Sequence, residues 1–139
     1  MNYLTHQLLN PEELESLKIN LNQSDLPWED GKKTAGNHAS LIKNNLQLDR
    51  GSDLSKKFSL LITKKMLIND LIKSFTLPKK IHGTMFTKSK KGMGYGRHID
   101  NCYMTSGRAD LSFTIFLSEK NEYEGGELLI ENLNSEKKF

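Results

Sequence analysis

Apolar residues recur along this chain in two rhythms, and the change between them falls near Pro78. Asn10-Pro11-Glu12-Glu13 is a helix start: a capping residue, a proline in the first turn, then acids where the positive end of the helix dipole lies. Leu14, Leu17 and Leu21 follow at helical spacing, which predicts a helix ending near Asn20–Asn22. From Asp53 onward Phe58, Leu61, Ile62, Ile68, Leu71, Ile72 and Phe75 recur at steps near three and four, with lysines on the other side. They predict one long helix over about 54–74, capped by Ser52 or Asp53 and stopped by Pro78. After that proline the period turns to two. Ile81–Phe86, Gly94–Asp100, Asp110–Ser118 and Glu127–Glu131 read as strands, with a turn at Glu122–Gly126. The clearest is Asp110–Ser118: Leu111, Phe113, Ile115 and Leu117 on one face, Ser112, Thr114 and Phe116 on the other. Between the helices Pro27–Gly31 reads as a turn, and 34–48 shows no clean period. Tyr3-Leu4 could form an edge strand. Helices followed by a run of strands is an α+β order with an antiparallel sheet.

The 139 residues suit one domain, read as 1–139 with a mainly helical part over 1–78 and strands over 79–139. The net charge of +3 is small, and few aromatics interleave the scattered lysine pairs. This disfavours a nucleic-acid partner. No apolar run is long enough to cross a membrane, and the N-terminus lacks the order of a signal peptide. One cysteine, Cys102, leaves no internal disulfide and fits a reducing compartment, so a cytoplasmic location is expected.

The chemistry gathers in Gly92-Met93-Gly94-Tyr95-Gly96-Arg97-His98-Ile99-Asp100-Asn101. In an extended strand His98 and Asp100 point the same way and Ile99 the opposite way. An imidazole and a carboxylate side by side are two of the three ligands of a facial iron site. The same pair is also compatible with an ordinary hydrogen-bonded surface pair, and only the surrounding sequence discriminates.

That surrounding sequence resembles a known family. Gly94–Asn101, Arg108–Ser118 and Tyr123-Glu124-Gly125-Gly126-Glu127-Leu128 are similar to iron(II)/2-oxoglutarate-dependent dioxygenases of the prolyl-hydroxylase type. With Trp28–Gly36 and Lys43-Asn44-Asn45-Leu46-Gln47-Leu48 they resemble bacterial PKHD-type hydroxylases more closely, over about 28–131. The resemblance implies a double-stranded β-helix, or jelly-roll, with helices packed on one side. It implies His98 and Asp100 as iron(II) ligands, 2-oxoglutarate as cosubstrate, ascorbate as a reductant, and hydroxylation of a C–H bond. Thr114 and Phe116 would then line the pocket, and Arg108 would either touch substrate or pin its loop to an acid. The substrate would be a protein side chain or a small molecule such as an iron chelator.

Two departures stand out. The family's third ligand is a histidine well downstream, followed by a basic residue for 2-oxoglutarate, whereas His6, His38 and His82 all precede the pair. A family tyrosine some nine or ten positions before the first ligand is replaced here by Lys88 and Ser89. The sequence therefore reads as the N-terminal and central part of a hydroxylase with an incomplete jelly-roll. The alternative is a catalytically inactive binding or structural remnant of that fold. A zinc- or sugar-binding cupin-like jelly-roll ranks last, because it lacks the Lys-Asn-Asn and Tyr-Glu-Gly-Gly-Glu-Leu blocks.

Overall fold

The capping signal at Asn10 forms as expected. In the computed structural model, which describes residues 3–104, 107–131 and 135–139, helix α1 spans Pro11–Leu21. Asn10 Oδ1 accepts from the backbone N–H of Glu13 at 2.8 Å, and Glu13 Oε2 accepts from the Asn10 N–H at 2.9 Å. This reciprocal box satisfies two amides that the first helical turn leaves without partners. Lys65 then bonds the same Glu13 carboxylate at 2.6 Å and ties the helix to the rest of the molecule.

The expected long helix is two helices. Helix α3 runs Asp53–Ile68, helix α4 runs Asp70–Thr76, and Asn69 joins them. Asn69 closes one helix with its N–H on the Lys65 carbonyl and opens the next by accepting from the Ile72 amide at 3.0 Å. An asparagine can bend the ladder in this way because its side chain replaces a backbone partner. The apolar period carries across the break, so Phe58, Ile62, Met66 and Ile72 all remain buried. Leu77 adopts a left-handed conformation (φ 44°) immediately before Pro78.

The segment 27–48 departs most from its sequence reading. Trp28–Asp30 is strand β1 rather than a turn, and a 3-10 turn follows over Gly31–Thr34. Next come helix α2 (Asn37–Leu41), strand β2 (Lys43–Asn44) and strand β3 (Leu46–Leu48). Strand β4 is Thr87–Lys88, and the sheet order is β1-β3-β4, antiparallel throughout, with Trp28 opposite Leu48 and Gln47 opposite Thr87. Pro27 and Asp30-Gly31 mark the ends of a short strand, and the partner strand lies far enough along the chain that local pattern does not reveal it.

The core sits between this sheet and the helices. Leu9, Leu17, Leu21, Leu48, Phe58, Ile62, Met66, Ile72 and Phe86 form it, with Phe58 and Phe86 meeting edge to face. Burial of such side chains supplies most of the favourable free energy of folding.

Beyond residue 80 the expected strands shorten. Ile81–Phe86 forms no strand, although the Phe86 carbonyl accepts from Leu48. Strand β5 is only Gly94–Tyr95 and pairs with β2; strands β6 (Tyr103–Met104) and β7 (Gly107–Arg108) pair with each other. Strands β8 (Leu129–Glu131) and β9 (Glu136–Lys138) form the last pair, after the expected turn at 122–126. Asp110–Ser118 enters no ladder among the described residues. Within it Ile115 and Leu117 pack against the core, while Leu111, Phe113 and Phe116 stay exposed. Tyr3-Leu4 is not a strand either, though Leu4 lies against the core. The chain is thus mixed α+β with small antiparallel sheets. No helix among the described residues is long and apolar enough to cross a membrane.

Candidate functional site

His98 and Asp100 are held by an irregular loop and not by the expected strand. The β2–β5 ladder pairs Lys43 with Tyr95 and Asn44 with Gly94. One residue on, the Gly96 N–H donates to the Ile42 carbonyl at 2.8 Å. A Cβ on Gly96 would stand 3.0 Å from the Cβ of Ile42, so glycine permits this close approach. The chain then leaves the ladder. His98 and Asp100 nevertheless share a side, with Nε2 and Oδ1 3.4 Å apart, and Ile99 between them is 95% exposed. The i, i+2 relation brings the pair together even without sheet pairing.

The other imidazole nitrogen has its own partner. His98 Nδ1 lies 2.7 Å from the Gly96 carbonyl oxygen. A carbonyl only accepts, so Nδ1 carries a proton, while Nε2 stands opposite the Asp100 carboxylate. The Tyr95 ring stacks on the imidazole with centroids 3.7 Å apart and planes 14° from parallel. Burial, and secondarily the Asp100 charge, push the Tyr95 phenol above its ordinary pKa. Lys43 Nζ lies 5.1 Å from the same ring's centroid.

Lys43 is itself unusual, being only 4% exposed. Its ammonium donates to Thr34 Oγ1 at 3.2 Å, and Thr34 donates to Gln47 Oε1 at 2.5 Å. Burial, then the Arg50 charge, lower the Lys43 pKa; Asp30 opposes this. Sequence reasoning gives neither Lys43 nor Tyr95 a role. Tyr95, three residues before His98, was the available signal, whereas Lys43 sits in a polar run that composition reads equally as lining a site or as surface loop.

Arg108 pairs with Asp110 at 2.6 Å, and Arg97 with Glu131 at 2.7 Å. Thr114 and Phe116 are exposed, and neither they nor Arg108 bond or stack with His98 or Asp100 among the described residues. A shallow cleft elsewhere is lined by residues including Asp30, Thr34, Gln47 and Arg50, and by none of the expected site residues.

The His98–Asp100 pair suits a hard or borderline divalent metal. It offers an imidazole nitrogen and a carboxylate oxygen at a separation that one ion bonded at about 2 Å to each could bridge, replacing any proton on Nε2. Gly96 supplies the partner to the remote nitrogen that metal-bound histidines commonly have. No third His, Cys, Asp or Glu joins them in a cluster among the described residues.

No protein-family model matches the chain. Curated relatives do. A PKHD-type hydroxylase of Prochlorococcus marinus (strain MIT 9215) is 73% identical over the whole chain. The PKHD-type hydroxylase of strain MIT 9312 is 68% identical and that of strain MIT 9211 51% identical, again over all of it. The chain spans 63% of the length of each of these relatives. Over every one of its residues the chain is thus similar to PKHD-type hydroxylases.

Proposed function

We propose that this chain carries the iron(II)-binding His-x-Asp of a 2-oxoglutarate-dependent dioxygenase that hydroxylates a C–H bond, on a jelly-roll core. The observation that carries the proposal is the 3.4 Å approach of His98 Nε2 to Asp100 Oδ1, with Nδ1 already engaged by the Gly96 carbonyl. The relatives' shared name, hydroxylase, supports the same chemistry. His98 would donate through Nε2 and Asp100 through its carboxylate. Bound there, iron(II) would supply oxygen activation coupled to oxidative decarboxylation of 2-oxoglutarate to succinate, with ascorbate maintaining the reduced metal. The protein's own part is orientation. Gly96 fixes the imidazole tautomer, and the carboxylate neutralises part of the ion's charge while leaving other coordination positions open. Thr114, Phe116 and Arg108 are proposed to line the adjoining pocket. The substrate is proposed to be a protein side chain or a small molecule.

Anaerobic titration with iron(II) and 2-oxoglutarate tests this. The expected result is a metal-to-ligand absorption band that His98→Ala and Asp100→Ala abolish while the far-ultraviolet circular dichroism stays unchanged. The Asp100 side chain is 66% exposed, so the fold should tolerate its loss. Absence of the band in the wild-type chain would refute a working site here and leave the catalytically inactive reading. Loss of helical signal in Asp100→Ala would make that residue structural.

A further inference from the structure

We infer that Tyr95 is a positioning residue for His98: its ring, clamped from the β2 side, holds the imidazole plane so that Nδ1–H meets the Gly96 carbonyl and Nε2 faces Asp100. The inference starts from the freedom His98 would otherwise have. Residues 96–102 belong to no ladder, and among the described residues His98 is held within its loop by the Gly96 carbonyl and by the 3.4 Å approach to Asp100. Both contacts lie at the ring's edge, and the Asp100 side chain is 66% exposed, so they leave the ring plane free to tilt. The Tyr95 face removes that freedom, because two rings 3.7 Å apart and 14° from parallel allow little tilt.

Tyr95 can act as a template only if it is fixed itself, and several contacts fix it. Its backbone pairs with Lys43, and the next amide, that of Gly96, is bonded to Ile42. Its ring lies under the Lys43 ammonium at 5.1 Å, a cation–π distance. Lys43 is in turn buried and bonded to Thr34, so it cannot swing into solvent without breaking that contact. The path therefore runs from buried Gln47, bonded by Thr34, through Lys43 and Tyr95 to an imidazole at the surface. Partners that orient a metal-binding histidine commonly change metal affinity ten- to a hundredfold when removed. The metal arm of the test below rests on the proposed ligand role of His98; the tautomer arm does not.

The test is nitrogen-15 NMR of the full chain at about pH 8, with the His98 resonances assigned by their loss in His98→Gln. In the wild-type chain the Nδ1-protonated tautomer should dominate, and the His98 ring protons should be shifted upfield by the Tyr95 ring current. Tyr95→Phe keeps the ring and should preserve both signatures. Tyr95→Leu should lose the ring-current shift and give mixed tautomers, and about tenfold more manganese(II) should be needed to broaden His98. An Nε2-protonated wild-type His98, or one without a ring-current shift, overturns the inference before any variant is made. So does a folded Tyr95→Leu chain with the wild-type tautomer and manganese response, or a Tyr95→Phe chain that behaves like Tyr95→Leu. If the wild-type signatures are present but manganese(II) leaves His98 sharp, the ligand role fails and the positioning role stands.

Discussion

Replacing Gly31 with alanine should destabilise the chain through one identifiable neighbour. Gly31 sits where β1 passes into the 3-10 turn, and its N–H donates to the Asn45 carbonyl at 2.9 Å. A Cβ built on Gly31 would stand 1.9 Å from Asn45 Oδ1 and 3.0 Å from the Asn45 carbonyl oxygen. The first separation is impossible, so the Asn45 side chain must turn away. The second is tight but could be met by a shift of a few tenths of an ångström. Overpacking of this kind costs about 1–3 kcal/mol. Restricting the unfolded chain by replacing glycine returns about 0.4–1 kcal/mol. A net loss of about 1–2 kcal/mol is expected. Asn45→Ala alone should be close to neutral, because Asn45 Oδ1 is buried without a hydrogen-bond partner and its removal also lifts a desolvation cost.

The double variant separates the two contacts. With alanine at position 45 the impossible contact vanishes and only the backbone approach remains. Gly31→Ala should then cost much less, giving a coupling of about 1 kcal/mol or more between the sites. Urea unfolding followed by circular dichroism, and by fluorescence of Trp28 on the adjoining strand, measures all corners of the cycle. Additive effects within about 0.5 kcal/mol would refute the steric account.

Three further outcomes follow from the core and its charges. Ile62 is 1% exposed in the centre of α3, so Ile62→Ala should cost about 2–5 kcal/mol in urea unfolding. Lys43→Met should raise stability at neutral pH, since it removes a buried ammonium that lies between Arg50, Asp30 and the Tyr95 ring and has no ion-pair carboxylate among the described residues. The folded-state pKa of Lys43 is depressed, so the unfolded chain binds this proton more tightly. Wild-type stability should therefore rise as pH climbs through the depressed value toward about 10.4, a rise that Lys43→Met lacks in pH-dependent melting. Glu13 behaves oppositely: the Lys65 hydrogen bond, then the Asn10 amide, lower its pKa. Its contribution is complete above the ordinary carboxylate range and disappears as pH falls through the depressed value. Glu13→Gln should accordingly flatten part of the acid limb of an unfolding titration.

What the amino-acid order made legible was local. The α1 start needs only Asn10 and Glu13, three residues apart, and it forms as read. The 53–76 apolar period placed Phe58, Ile62 and Ile72 in the core although Asn69 divides the helix, whereas Ile68, Leu71 and Phe75 of the same period stay exposed near and beyond the break. The Asn69-Asp70 pair was itself a second cap signal inside that run. Strand readings fared worse because a strand exists only with a partner. Asp110–Ser118 has the cleanest alternation in the chain and no ladder among the described residues, while Trp28–Asp30 shows no alternation and pairs fully with Leu46–Leu48.

The candidate site lies between these cases. The i, i+2 spacing of His98 and Asp100 was readable, and they meet at 3.4 Å although the strand expected to align them stops at Tyr95. Alignment comes instead from contacts on both sides of the loop. Gly96 gives its carbonyl to His98 Nδ1 and its N–H to Ile42, so a single residue ties the imidazole to the β2 end. A Cβ here would stand 3.0 Å from the Ile42 Cβ, so any other residue requires a shift of a few tenths of an ångström between β2 and the loop. Of the glycines preceding His98, Gly96 is thus the one whose absent side chain matters to the site, since a Cβ at Gly92 or Gly94 would meet nothing within 4 Å. Gly96 therefore serves as the close-packed junction between β2 and the metal-ligand candidates. A substitution at Gly96 should disturb His98 sooner than one at either earlier glycine, although Gly92 carries its own backbone requirement at φ 79°.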